Sequence, residues 1–425
     1  MKNGNKMTIQ SDKNILKNHI VVMVGCFDTK GVDFEYLHSC LVRNGIEVIS
    51  INTGVLGETN LFPVNYSAET VALHAGTDLS IIRKDNNRGA ALELMGKGAE
   101  KIVADLVTEG KVSGIIGMGG GGGTFVTLKA MNTVPFGIPK ICISTLATKD
   151  LSKKVGDKDV VLIPSIVDVA GLNKISKVVI SQAVGALYGM MNTIVQNDEN
   201  VKGSIALSVF GNTAIAADTC TEILKSKGYD VLAFHAVGSG GATLESLTSD
   251  GVFDAVLDLT TTELADELCG GICSSGPDRL TAAGQLGIPQ VVVPGCIDMV
   301  NFGSLHTVPE KYKDRQLFSW APDVTLMRTN AEENKILGEI IAEKINSSKG
   351  PVTILLPLGG LSKVGGEGEV FHNPSIDEVL FKSIRKKVKE SVKIVEVYAN
   401  INTVVFAESA VEALMELVVI SKENL

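Results

Sequence analysis

The sequence has no excess of basic charge: 39 lysines and arginines face 48 acids, giving a net charge of -9 and a pI near 5.3. General binders of nucleic acid or anionic membrane need clustered cations, so both classes are excluded, and a phosphorylated ligand has to be held by a local device. No apolar run approaches a membrane-spanning length, and residues 1–11 carry no apolar h-region, so a cytoplasmic protein is expected. The seven cysteines form no C-x-x-C pair and the six histidines are scattered, which favours reduced thiols over disulfides and argues against a transition-metal centre. A Gly-Lys-Ser/Thr triplet is also missing, and with it a Walker phosphate loop.

What the sequence does have is glycine concentrated in one place. A short apolar run from Ser113 ends in Gly119, Gly120, Gly121, Gly122 and Gly123, then Thr124, and residues 125–131 follow with helical spacing of their apolar positions. The stretch reads as strand, glycine loop and helix, with the helix starting where the glycines stop. Amides at a helix start lack intrahelical acceptors, and glycine lets the main chain approach an anion closely, so a phosphate is the favoured ligand. Gly117 to Gly122 satisfies G-x-G-x-x-G only as any glycine run does. The following strand ends in Ser144 and Thr145 without the acid that would hold a ribose, which disfavours a dinucleotide.

Along the chain, apolar strands alternate with helices. Residues 20–24 form a buried parallel strand that runs into Gly25, Cys26, Phe27, Asp28, Thr29 and Lys30; a helix over residues 32–43 and a strand at 47–51 complete a βαβ unit. This puts Asp28, Thr29 and Lys30 at a strand's carboxyl end, where open α/β sheets bind ligands. Arg88 opens a helix leading to the glycine stretch; a phosphate clamp is one reading of it, and a solvated surface arginine is the default. Asp168 precedes a helix expected from about residue 171. The polar stretch at 196–200 marks a boundary, giving an amino-terminal Rossmann-like nucleotide-binding domain (1–199) and a carboxy-terminal Rossmann-like substrate domain (200–425).

The second half repeats the order of the first, including a glycine loop at 238–243 and a Gly287-Ile-Pro that echoes Gly137-Ile-Pro, as an old duplication would. Two doubly wound α/β lobes with a ligand cleft between them are expected. The second lobe concentrates polar residues at strand ends: Asp258, Glu263, Asp278, Arg279, Asp298 and Arg328.

These residues together resemble one family, the Tm-one-like proteins: the ATP-binding amino-terminal domain of the tomato mosaic virus resistance protein and its bacterial relatives. The resemblance rests on Gly25 with Asp28-Thr-Lys-Gly31, on Gly119 to Thr124, on Ser144-Thr145, and on Asp168-Val-Ala-Gly-Leu-Asn173. In the second half it rests on Thr260-Thr-Thr-Glu-Leu-Ala-Asp-Glu-Leu268, Gly276-Pro-Asp-Arg-Leu280, Asp298-Met-Val-Asn-Phe302 and Leu326-Met-Arg-Thr329. It implies two Rossmann-like domains, ATP on the glycine loop, a homodimer or higher homo-oligomer and, in the plant protein, binding of a viral replication protein. Trp320-Ala321 stands where the family has a His-Asn pair.

The resulting expectation is an ATP- and Mg2+-binding protein acting on a small anionic or carbonyl metabolite. The glycine amides, Thr124, Ser144 and Thr145 would hold phosphate together with Gly25, Phe27, Asp28 and Thr29. Lys30 would meet the transferable phosphate, and Asp28 or Asp168 would stand near Mg2+. Arg279 and Arg328 would bind a substrate anion, with Glu263, Asp278 or Asp298 as general base. A non-catalytic, nucleotide-dependent protein-binding module is the alternative, and an NAD-dependent dehydrogenase trails.

Overall fold

The computed structural model describes residues 19–195 and 200–423. The amino-terminal leader and most of the expected boundary stretch, at 196–199, lie outside the described residues. The chain divides into two compact units, one on each side of that stretch.

In the amino-terminal unit β1 (Ile20–Gly25), α1 (Phe27–Arg43) and β2 (Glu47–Asn52) are followed by α2 (Ala68–His74), α3 (Leu79–Asp85) and α4 (Arg88–Thr108). Then come β3 (Gly114–Gly119), α5 (Gly121–Met131), β4 (Lys140–Ser144), α6 (Ser152–Val155), β5 (Val160–Pro164) and α7 (Lys174–Met191). The five strands form one parallel sheet in the order β2-β1-β3-β4-β5. The apolar runs explain the layering: a strand covered by helices on both faces is apolar at successive positions, and Val21, Val22, Met23 and Val24 are all fully buried. Val21 and Met23 pack with Phe34 and Leu37 of α1 and Val184 of α7, whereas Val22 and Val24 pack with Met95 of α4 and Val126 of α5.

Caps set several helix starts. Ser67, Asp78 and Asn87 accept first-turn amides of α2, α3 and α4, and Asn173 forms a capping box with Ser176 that places the start of α7 at Lys174, later than residue 171. The helix expected from residue 32 starts at Phe27, with one non-helical residue, Lys30, at φ -128° and ψ 23°.

The carboxy-terminal unit runs β6 (Ser204–Val209), α8 (Ala214–Ser226), β7 (Asp230–His235), α9 (Ser239–Ser249), β8 (Ala255–Thr260), α10 (Thr262–Cys269), α11 (Ala282–Leu286) and β9 (Gln290–Gly295). An antiparallel insertion follows, made of β10 (Met299–Phe302), β11 (Leu317–Ala321) and β12 (Val324–Arg328). The unit closes with α12 (Ala331–Asn346), β13 (Val352–Pro357), α13 (Pro374–Lys387), β14 (Lys393–Val397) and α14 (Val404–Glu423). The main sheet is parallel, in the order β14-β13-β9-β8-β6-β7. Among the described residues no helix is long and apolar enough to cross a membrane.

In both units the first strand lies between the second and the third. Chain connections therefore leave in opposite directions on either side of it and open a crevice at the strands' carboxyl ends. In the amino-terminal unit that point lies between β1 and β3. Gly25, at the end of β1, is fixed by packing, since a Cβ there would lie 1.9 Å from the Phe34 ring. Gly25→Ala is expected to destabilise the unit by about 1–3 kcal/mol, measured by urea unfolding, and Phe34→Leu in the same chain to recover part of the loss.

Candidate functional site

The crevice between β1 and β3 is built from the turns that follow these two strands. The first follows β3 and is shorter than the sequence suggests. Gly120 alone is the N-cap, in extended conformation, and α5 already begins at Gly121. The first intrahelical bond is Thr124 N–H to Gly120 O at 2.8 Å. The amides of Gly121, Gly122 and Gly123 sit in the first turn, and no acceptor for them is found among the described residues.

Two glycines are needed for the turn itself. A Cβ on Gly119 would lie 2.8 Å from Gly123 Cα, and one on Gly123 would lie 3.2 Å from Met118 O. Gly120 instead borders open ground, a Cβ there lying 3.7 Å from Thr145 Oγ1, whereas one on Gly122 would press on the Leu92 side chain at 3.1 Å with Arg88 Nη2 next at 3.7 Å. A half-buried hydroxyl and an exposed guanidinium therefore flank the free amides. Arg88, the first residue of α4, has no ion-pair partner among the described residues. Its exposure agrees with the default reading of a solvated surface residue; its place beside Gly122 was not legible, because 34 residues separate the two and only the packing of α4 on α5 joins them.

Thr124 and Ser144 are committed to the interior. Thr124 Oγ1 lies 2.6 Å from Ser144 Oγ and donates to Gly119 O at 3.3 Å, while Ser144 Oγ accepts the Leu146 amide at 2.9 Å. Both residues are buried, so they join the ends of β3 and β4 and do not face the amides of Gly121 to Gly123.

The turn after β1 is largely self-satisfied. Asp28 accepts the Thr29 amide at 2.7 Å and the Leu56 amide at 2.8 Å, and a Cβ on Gly54 would lie 2.2 Å from its carboxylate carbon. Its work in this structure is to pin the loop after β2. Phe27 is core, in edge-on contact with Phe34 and Phe62 at 4.9 and 5.0 Å. The Phe27 amide donates to Asn52 Oδ1 at 3.1 Å, so the buried Asn52 organises the start of α1. Thr29 is exposed. The non-helical backbone at Lys30 turns its side chain toward the segment before α7, where Nζ donates to Val169 O. Asp168, also exposed, accepts the Val169 amide at 2.9 Å, so Lys30 and Asp168 meet on one residue while Asp28 bonds elsewhere.

In the carboxy-terminal unit the polar residues singled out from the sequence form closed networks. Arg279 is 1% exposed; it bonds Asp258 through two nitrogens at 2.5 and 2.6 Å, Glu263 at 2.6 Å, Glu245 at 3.1 Å and Thr260 O at 3.1 Å. Three carboxylates surround one guanidinium, and its donors are spent. Glu263 in turn accepts the Gly238 and Gly241 amides at 2.8 and 3.1 Å, placing the protein's own carboxylate at the start of α9. That helix begins at Ser239, within the stretch expected as a glycine loop. Burial pushes the Glu263 carboxyl up, against the pull of Arg279.

Arg328 is also spent, on Asp377 at 2.5 Å and Phe371 O at 2.9 Å. The substrate-anion role expected for Arg279 and Arg328 is thus filled by internal carboxylates. Asp298 is buried, accepts Ser362 Oγ at 2.7 Å and is pushed up by burial; its Oδ1 has no partner. Asp278 is exposed, outside the networks of Arg279 and Arg328.

Burial also pushes Asp266 up to about 7 and Asp377 up to about 6. A carboxyl that holds its proton longer when folded than unfolded makes the folded state bind more protons across that interval, so stability falls as pH rises from about 4 to 7. The expected slope is about 1.4 kcal/mol per pH unit for each group at most, and Asp266→Asn flattens its share in urea unfolding at stepped pH. Arg279→Leu, which strands the buried carboxylates of Asp258 and Glu263 and the half-buried one of Glu245, is expected to cost about 3–5 kcal/mol in the same assay.

Comparison with known proteins adds the family context. Residues 19–196 match the model of the "Uncharacterised protein family (UPF0261) N-terminal domain", and residues 202–418 match that of its C-terminal domain. A UPF0261 protein of Clostridium tetani is 42% identical, covering 94% of this chain and 99% of its own length. A UPF0261 protein of Rhizobium meliloti is 38% identical over 93% of this chain and 98% of its own length. The ToMV susceptible protein tm-1(GCR26) of Solanum lycopersicum is 34% identical over 93% of this chain, which spans 55% of that longer protein.

Proposed function

The chain belongs to the UPF0261 family, which it shares with the tomato Tm-1 proteins, and we propose that its amino-terminal unit binds a nucleoside polyphosphate, ATP with Mg2+, at the start of α5. One observation carries this reading: the acceptor-free amides of Gly121, Gly122 and Gly123 stand beside the unpaired guanidinium of Arg88 at the β1/β3 crevice. Backbone N–H groups, the positive end of a helix dipole and a bidentate cation are complementary to phosphate oxygens. Thr145 faces the same turn, while Lys30 and Asp168 stand together on Val169. ATP-driven chemistry on a small anionic or carbonyl metabolite remains the enzymatic form of the proposal.

The internal pairing of Arg279 and Arg328 favours a second reading, a nucleotide-dependent binding module without turnover, because the cations assigned to a substrate anion are already neutralised. The two forms separate on phosphate release in the presence of candidate metabolites, which only the enzyme form shows.

Isothermal titration tests the shared claim. ATP with Mg2+ is expected to bind and NADH not to. Arg88→Ala is expected to weaken ATP by roughly 10- to 100-fold, the loss of one charge-assisted pair of hydrogen bonds. Binding of NADH without heat from ATP overturns the proposal.

A further inference from the structure

The outer face of α7 carries no charge and no part of the nucleotide reading. Ile175, Val178, Gln182, Gly185, Ala186 and Gly189 recur at helical spacing, so they share one face, and all six are exposed. The opposite face, with Ile180, Val184 and Leu187, is buried.

The exposed face is bulky and grooved at one end and flat at the other. At the start of the helix it borders an open groove of about 480 Å3, lined by Ile166, Lys174, Ile175, Val178, Val179 and Gln182. Ile166 is held at φ 65°, a costly backbone for a β-branched residue, and its side chain is 72% exposed. Val178 is 54% exposed. Toward the end of the helix a Cβ added to Gly185 or Gly189 would meet nothing within 4 Å. Glycine weakens a helix interior, and what it permits there is the close approach of another helix.

Two features make this face complementary to its own copy. The first is the order of sizes. Ile175 and Val178 precede Gln182 by seven and four residues, and Gly189 and Ala186 follow it by the same intervals. When two copies pack antiparallel about a two-fold axis at Gln182, Ile175 falls opposite the partner's Gly189 and Val178 opposite the partner's Ala186. Each large side chain then meets a small one. The second feature is charge. The helix has no acid in its first turn and no base in its last, and Lys174 opens it, where a cation opposes the helix dipole. Antiparallel packing corrects both ends at once, because Lys174 of each copy comes to the negative, carbonyl end of the other's α7.

We propose that this face of α7 is the interface of a two-fold symmetric dimer, its occupant a second copy of this chain in the register set by Gln182. The apolar side chains at Ile166, Ile175 and Val178 are then covered by the partner helix.

The test uses the full chain without nucleotide, so its outcome is independent of the ATP reading. Sedimentation velocity is expected to give a dimer for the unaltered chain. Val178→Arg alters an exposed position, and the symmetry doubles it, so the new cations are expected to weaken the dimer roughly 100-fold or more. Gln182→Cys is expected to give a covalent dimer on mild oxidation, beyond any formed by the unaltered chain, since a residue on the axis meets its own copy. A monomer for the unaltered chain, or a dimer that Val178→Arg leaves intact, overturns the proposal. Should Val178→Arg fail to fold by circular dichroism, Gln182→Cys decides the question: linkage supports the register, and no linkage overturns it.

Discussion

The pairing of β1 with β2 on one side and β3 on the other is the constraint on which the rest of the amino-terminal unit depends. The helices after β1 and β3 have to leave on opposite faces, so their starts cannot pack against each other and a crevice remains between them. α5 brings unsatisfied amides to this crevice, α4 brings Arg88, and α1 has already spent its first amide on Asn52. One helix start is therefore closed by the protein and its neighbour is open to an anion.

The carboxy-terminal unit shows the same physics with the opposite outcome. At the start of α9 the glycine amides are filled by Glu263, which also pairs with the buried Arg279. A protein that places its own carboxylate at a helix start gains rigidity there and loses a ligand site. Glycine-rich stretches in the two halves thus look alike as sequence and differ in what satisfies them. The second network links α9, β8, α10 and the turn before α11, which suits a scaffold better than a mobile substrate clamp.

Much of the architecture was legible because it follows from local pattern. Continuous apolar runs such as residues 20–24 marked buried parallel strands, and Asn44-Gly45 marked the end of α1. The start of α5 inside the glycine run was not legible, since glycine disfavours helix interiors and only the packing of Gly119 on Gly123 shows why it is tolerated. Nor was the fate of Arg279. Its partners Asp258, Glu263 and Glu245 come from separate elements, and a sequence cannot tell an arginine awaiting a substrate from one already paired. Arg88 and Asn52 were missed or discounted for the same reason: each acts across the fold, on Gly122 and Phe27, and carries no motif of its own.

The central claim is that the acceptor-free first turn of α5 receives phosphate, and amide resonances report on it directly. In 15N-labelled protein titrated with ATP and Mg2+, the Gly121, Gly122 and Gly123 signals are predicted to shift most and to saturate together, while Gly238 and Gly241, already bonded to Glu263, stay in place. Shifts confined to other regions, with those three amides unchanged at saturation, would contradict the account.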